Sequence, residues 1–260
     1  MDVPEKRRLE IKKIITENES ISVSNLSKLF NVSEITVRRD LQKLEKDGFL
    51  DKVHGGAIAR SFKTEYDPVY LEDIKLNKDK KESIAKEAVK EINDGDAVII
   101  ESGTTCLELV YNLANKRNLA IFTASVPIAY ELWKVSLNRN DLEVNICGGL
   151  IEAKSNTLIG SQATQFFQNI NADIAFIGAV AISIDKGILT THSQMDADVI
   201  RSIANNSKRK ILLADSSKFK KRAHISILPL TVFSKIITDS GIDKDIADKI
   251  RNLGIELKIV

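Results

Sequence analysis

The chain has 260 residues, of which 28% are charged and 43% hydrophobic, and its formal net charge is +2. That composition is ordinary for a globular protein in water, and the length allows one large core or a small domain beside a larger one. The longest apolar runs, such as residues 175–182, fall well short of the roughly 18–20 residues that span a bilayer. The opening MDVPEKRRLE lacks the apolar core of a secretion signal. Cys106 and Cys147 give neither a disulfide framework nor a metal-ligand cluster. A cytoplasmic protein with no membrane association, no metal and no cofactor is expected.

Net charge excludes little. Residues 1–60 carry 12 basic against 10 acidic side chains, whereas a strongly basic domain would itself point to nucleic acid. Affinity for DNA would have to come from where the charges sit.

In chain order, residues 5–60 read as three helices and a hairpin. The first helix, over 5–18, carries Leu9, Ile11, Ile14 and Ile15. A short second helix follows Ser22–Asn25, with Leu26, Leu29 and Phe30 inward. A tight turn at Asn31–Ser33 leads to a third helix that has Ser33 as N-cap, Glu34 in its first turn and Gly48 as its stop. Residues 49–53 and 57–60 then alternate like strands across His54, Gly55 and Gly56. Residues 61–79, charged and interrupted by Pro68, read as a linker with a short helix near 70–76. From residue 80 strands and helices alternate, with strands at 97–101, 119–123, 142–147, 174–181, 210–214, 235–238 and 255–260. Such alternation implies a mainly parallel sheet covered by helices. The expected organisation is therefore a small domain of three helices and a hairpin over 1–60, a linker over 61–79 and an α/β domain over 80–260.

The third helix has an unusual outer face. At about 100° per residue, Val37, Leu41 and Leu44 fall within roughly 60° of one another and form the buried stripe. Ile35, Arg39, Gln42, Lys43 and Lys46 lie opposite, flanked by Thr36 and Arg38. Arg, Gln and Thr have the donors and acceptors that base edges require, and Ile35 suits a thymine methyl group. Lys43 and Lys46 suit phosphates, which position a helix without reading sequence. Any solvated helix also turns Lys, Arg and Gln outward. The helix–turn–helix followed by a hairpin bearing Lys52 is the layout of a winged helix-turn-helix.

Val32-Ser33-Glu34, the run Thr36 to Leu41, Leu44-Glu45, Gly48 and Val53-His54-Gly55-Gly56-Ala57 resemble the signature of the DeoR family of bacterial transcription regulators. The resemblance implies that Ser33, Thr36, Arg38, Arg39 and Lys43 lie at or near DNA and that His54, Gly55 and Gly56 form the wing, with His54 near phosphate. It makes Asp40 a structural partner for an arginine, since its charge would repel phosphate.

In the second part, Ser102, Gly103, Thr104 and Thr105 end a strand and open a helix. Gly103 permits close backbone approach, the helix start offers N–H groups to an anion, and the hydroxyls add donors. An ordinary capped strand–helix turn would look the same. Gly148 and Gly149, Gly178, and Asp215 to Lys218 also follow apolar strands, and the carboxyl ends of parallel strands share one crevice. Lys218, and Lys81 just before a helix over 82–92, add positive charge. A small phosphorylated ligand fits that set.

This half resembles the DeoR-type sensor domain, a Rossmann-like fold related to ribose-5-phosphate isomerase. The matching residues are Ser102–Thr105, Gly148-Gly149, Gly160, Gly187–Thr191, Leu213–Phe219 and Ile237–Ser240. The resemblance implies a sugar-phosphate effector that alters DNA affinity; because a single helix-turn-helix covers only one half-site, a homodimer or homotetramer is expected. His192-Ser193, Asp196 and Ile200 depart from the family's usual Pro-Asn, Glu and Lys, and Ala181 and Ala124 from its usual Gly and Asn.

The leading expectation is a sequence-specific regulator, a repressor of a sugar-metabolism operon relieved by a phosphorylated sugar. The alternatives are a sugar-phosphate isomerase and a non-specific DNA-binding protein. An isomerase needs a carboxylate base at the substrate carbon; the related isomerase carries Asp-Gly-Ala-Asp at a strand end, where this chain has Ile177-Gly178-Ala179-Val180. No catalytic residue is assigned. Cys106 and Cys147 read as small buried hydrophobes, and His192 and His224 show no metal spacing.

Overall fold

A computed structural model describes residues 3–18, 20–46, 50–53, 55–59 and 73–260. The expectations for Gly48, Phe49, His54 and residues 61–72 of the linker lie outside the described residues. The chain divides into two compact units, Met1–Asp67 and Pro68–Val260.

The first unit contains helix α1 (Val3–Asn18), strand β1 (Ser20–Ser22), helices α2 (Val23–Phe30) and α3 (Glu34–Lys46), and strands β2 (Leu50–Val53) and β3 (Gly56–Ala59). Ile11 and Ile15 from α1, Val23 and Leu26 from α2, and Val37, Leu41 and Leu44 from α3 close a small core with Leu50 and Ala57. The helix boundaries have local causes. The Ser22 hydroxyl accepts the Asn25 N–H at 3.1 Å, Asn31 ends α2 in the left-handed region at φ 48°, and the Ser33 hydroxyl accepts the Thr36 N–H at 3.3 Å.

Two expectations change here. Leu29 was expected inward but is 61% exposed; one turn of α2 against α3 covers only Val23 and Leu26 fully. The hairpin also gains a third strand, β1, antiparallel to β3 and invisible in the polar run that precedes α2. This pairing explains Gly56, where a Cβ would meet the Ile21 carbonyl oxygen at 2.5 Å.

In the second unit, α4 (Lys78–Ala88) leads into strands interleaved with helices: β4 (Ala97–Ile100), α5 (Thr104–Val110), β5 (Leu119–Thr123), α6 (Val126–Ser136), β6 (Leu142–Ile146), the hairpin β7 (Leu150–Glu152) and β8 (Thr157–Ile159), α7 (Ser161–Gln168) and β9 (Ala172–Gly178). There follow β10 (Ala181–Ser183), β11 (Ile188–Thr191), α8 (Gln194–Asn205), β12 (Ser207–Leu213), β13 (Ile225–Pro229), β14 (Lys235–Thr238), α9 (Lys244–Asn252) and β15 (Glu256–Ile259). The main sheet has the order β15-β14-β12-β9-β4-β5-β6, and every pair in it is parallel. It coincides in position with the seven strands expected from sequence.

Both faces of that sheet are apolar, as a parallel sheet covered by helices requires. Along the strands alternate residues serve alternate faces. Val98, Ile100, Ile174 and Phe176 pack with Ile84, Ala85 and Ile128, whereas Ile99, Ala175 and Ile177 pack with Phe167, Ile203 and Ile250. Helices α4, α5 and α6 thus cover one face and α7, α8 and α9 the other.

Strand order reverses between β4 and β9: the chain adds β5 and β6 on one side of β4, then crosses to β9 on the other. In open α/β sheets the crevice at such a reversal, outside the carboxyl ends of the strands, is where ligands bind. A separate antiparallel sheet, β10-β11-β13, was not expected; its strands are too short for a clear alternation. Helix α4 begins at Lys78, so Lys81 lies inside it and not ahead of it.

Candidate functional sites

The outer face of α3 is open to solvent. Ser33, Ile35, Arg38, Arg39, Gln42, Lys43 and Lys46 are exposed and Thr36 is half-buried. Ile35, a large apolar side chain, is 65% exposed, which burial alone would not select. The Ser33 and Thr36 hydroxyls bond each other at 2.9 Å, and Arg38 pairs with Glu34 at 3.4 Å. Asp40 points the other way and is 4% exposed. It accepts from Arg7 Nε at 2.6 Å and Arg8 at 3.4 Å, both on α1. The acid therefore orients arginines, but those of α1 and not its neighbours. Gly55, at φ 83°, turns between β2 and β3 and is exposed.

In the α/β unit a cavity of about 350 Å³ opens at the strand-order reversal. The loop after β4 contributes Glu101, Ser102, Gly103, Thr104 and Thr105, and the end of β9 contributes Gly178, Ala179 and Val180. Lys218, Lys221 and Arg222 come from the segment after β12, and Lys154 and Ser155 from the β7–β8 turn. His192, Asp196 and Ile200 enter from the start of α8, and Asp73 and Ile227 complete the wall.

The charges in this wall are sorted. Burial lowers the Lys218 pKa, and Lys221 lowers it further while Asp215 and Asp73 oppose. Burial raises the Glu101 carboxyl to about 7, with the nearby Asp196 adding to the rise. Burial likewise raises Asp196 to about 6, against the hydrogen bond from Thr191. The Glu101 carboxylate accepts the Gly178 N–H at 3.2 Å and the Ser102 hydroxyl.

A DeoR-like helix-turn-helix domain matches residues 7–62, and the DeoR C-terminal sensor domain matches residues 76–240. The chain belongs to the DeoR family of transcriptional regulators. An uncharacterized HTH-type transcriptional regulator of Haemophilus influenzae is 32% identical over 258 residues, spanning 99% of this chain and 98% of its own. The HTH-type transcriptional regulator GlpR of Haloferax volcanii is 29% identical, covering 97% and 96%. The lactose phosphotransferase system repressor of Lactococcus lactis is 30% identical, covering 91% and 92%. Ribose-5-phosphate isomerase A of Methanocaldococcus jannaschii aligns with a TM-score of 0.40 at 18% identity, covering 55% of each chain.

This DeoR-family chain is a regulator and not an enzyme: it has a DNA-binding helix-turn-helix and a sensor domain for a small effector, and its relatives are named regulators. Of the residues singled out from sequence for the effector, Ser102, Gly103, Thr104, Thr105, Gly178 and Lys218 line the cavity. Four others do not. Lys81 is 2% exposed and donates to the Asp73 carbonyl behind the wall, its pKa lowered by burial against the pull of Asp73. Asp215 is buried as a cap, accepting the Ser217 N–H at 3.0 Å and the Asn77 amide at 3.2 Å. Gly149 packs against β8, where a Cβ would meet the Ile159 carbonyl oxygen at 2.6 Å, and the neighbouring Gly148 has Gln162 nearby at 3.8 Å. Gly149 thus serves the β7–β8 hairpin.

Sequence reasoning missed Glu101, Asp196, Lys221 and Arg222 as wall residues. Glu101 adjoins Ser102, and Lys221-Arg222 extends a run already noted at Lys218, so adjacency was the available signal. The departures His192, Asp196 and Ile200 are spaced four residues apart and all reach the cavity. Among the described residues, no helix is long and apolar enough to cross a membrane.

Proposed function

We propose that this regulator represses a sugar-metabolism operon and that a phosphorylated sugar in the cavity relieves the repression. The observation that carries the reading is the solvent-facing set Ile35, Arg39, Gln42, Lys43 and Lys46 on a helix whose other side is fixed by core contacts and by Asp40. In a major groove, Arg39 and Gln42 read base edges, Ile35 meets a thymine methyl, and Lys43 and Lys46 hold phosphates. Ser33, Thr36 and Arg38 border that contact and Gly55 turns the wing.

A cavity near 350 Å³ suits a small metabolite. Lys218, Lys221 and Arg222 supply positive charge for a phosphate, and the Ser102–Thr105 segment supplies hydroxyls. The relative named as a lactose phosphotransferase system repressor supports a carbohydrate setting. One helix-turn-helix covers one half-site, so a homodimer or homotetramer binds repeated half-sites, in the cytoplasm. Effector release of DNA requires that the ligand bind the DNA-competent and free arrangements differently.

Fluorescence anisotropy with a duplex from the region upstream of the gene, against a scrambled duplex, tests both parts. Tighter binding to the native duplex, weakened by at least one of a panel of sugar phosphates, is expected. Equal affinity for the two duplexes would reject the regulator of a specific operon. Operator affinity indifferent to every sugar phosphate would reject the effector.

A further inference from the structure

Glu101 and Asp196 are buried carboxyl groups on the wall of the cavity, at 2% and 7% exposure. They approach from different elements, one from the end of β4 and one from the first turn of α8. Each is held by neutral donors. Glu101 accepts from the Gly178 N–H and the Ser102 hydroxyl. Asp196 Oδ2 accepts the Thr191 hydroxyl at 2.8 Å, and Ser193 caps the Asp196 N–H. Among the described residues, Asp196 Oδ1 accepts no hydrogen bond, although the side chain lies on the cavity wall.

Lys154, Lys218, Lys221 and Arg222 line the same cavity as these acids. The charges acting on Lys218 are those of Lys221, Asp215 and Asp73. Asp196 raises the Glu101 pKa and Glu152 raises that of Asp196, each adding to the effect of burial. The cavity therefore offers cations to an anion and, at Glu101 and Asp196, acceptors with lone pairs to spare. A second anionic group beside Glu101 and Asp196 would meet two carboxyls in a low-dielectric wall. Sugar hydroxyls satisfy those acceptors without adding charge.

We infer that Glu101 and Asp196 are the specificity-determining residues of this cavity, accepting hydrogen bonds from hydroxyl groups on the uncharged body of a phosphate ester whose phosphate lies with Lys218, Lys221 and Arg222. The inference rests on the proposed reading of the cavity as an effector site. It narrows the effector to polyhydroxylated phosphate esters and disfavours phosphorylated sugar acids. The upward displacement of both carboxyl pKa values agrees with acids that lack a cationic partner of their own.

The test is calorimetric titration of the full-length protein at pH 8 with ribose 5-phosphate, fructose 6-phosphate, galactose 6-phosphate, 6-phosphogluconate, ethyl phosphate and inorganic phosphate. At least one sugar phosphate binds about tenfold or more tighter than ethyl phosphate, and 6-phosphogluconate does not share that gain. Glu101→Gln and Asp196→Asn each reduce the preference for the sugar phosphate over ethyl phosphate by about tenfold. Lys218→Ala weakens all the esters alike. Ethyl phosphate binding as tightly as every sugar phosphate in the unmodified protein overturns the inference without any variant. So does a folded Glu101→Gln protein that keeps the full preference. Failure of the unmodified protein to bind any ester removes the effector reading itself, an outcome distinct from the other two.

Discussion

Arg7 on α1 donates through Nε to Asp40 on α3 at 2.6 Å, joining two helices through a carboxylate that is almost fully buried. Arg8 reaches the same carboxylate at 3.4 Å. Asp40 follows Arg39 directly, so one peptide step separates an outward-facing arginine from the inward anchor. Replacing Asp40 by Ala leaves two half-buried guanidinium groups without their acid. Breaking such a pair costs about 3–5 kcal/mol, a large share of a small domain's stability. The expected result is loss of the low-temperature unfolding transition of the DNA-binding unit, with that of the α/β unit unchanged, followed by circular dichroism and calorimetry. An unaltered transition would show that the pair does not hold α3.

Arg39 and Lys46 share a face of α3 but should fail differently. Arg39→Ala should weaken operator binding by about 1–3 kcal/mol while leaving a scrambled duplex nearly unaffected, as the loss of a base contact does. Lys46→Ala should weaken both duplexes and reduce the slope of log Kd against log salt by about 1, as the loss of a phosphate contact does. Anisotropy titrations over a salt series separate the two. An equal loss for Arg39→Ala on both duplexes would make it a phosphate anchor.

Much of this was legible in the sequence because periodicity carries it. Val37, Leu41 and Leu44 mark the inner stripe of α3, and the apolar runs of the seven parallel strands sit where the sheet has them. Short elements were not legible: β1, β7, β8, β10 and β11 span three or four residues each, too few for a period to show. The cavity was half legible. Ser102, Gly103 and Lys218 follow strands and reach it, whereas Gly148 and Gly149 also follow a strand but do not line it, Gly149 being packed against β8. Strand ends on a sheet are ordered by topology, and only β4 and β9 flank the reversal; β6 lies at the sheet edge. Glu101 and Asp196, 95 residues apart in sequence, come together only through that topology.

Gly149 gives a direct check on that distinction. Its φ of 142° and the 2.6 Å approach of the Ile159 oxygen leave no room for a Cβ. Gly149→Ala should lower the melting temperature of the α/β unit by several degrees, about 1–3 kcal/mol, with little change in effector affinity. A large loss of sugar-phosphate binding at unchanged stability would place this glycine at the ligand after all.

The acid pair also sets a pH dependence whose sign follows from burial. Glu101 rises from an ordinary 4.5 to about 7, and Asp196 from 3.8 to about 6. Between the ordinary and raised values the folded chain keeps protons that the unfolded chain has released. The stability they contribute is complete below about pH 4 and is lost as pH rises through 6 to 7. The melting temperature of the α/β unit should therefore fall between pH 5 and 8 more steeply than that of Glu101→Gln, which carries no titrating group at this position. Comparing the two proteins removes titrations common to both. Ligand hydroxyls that donate to the carboxylates favour their ionised forms, so sugar-phosphate affinity should rise over the same interval and flatten in the variant. Parallel pH profiles for the two proteins, in both melting temperature and affinity, would show that Glu101 holds no proton in the folded state.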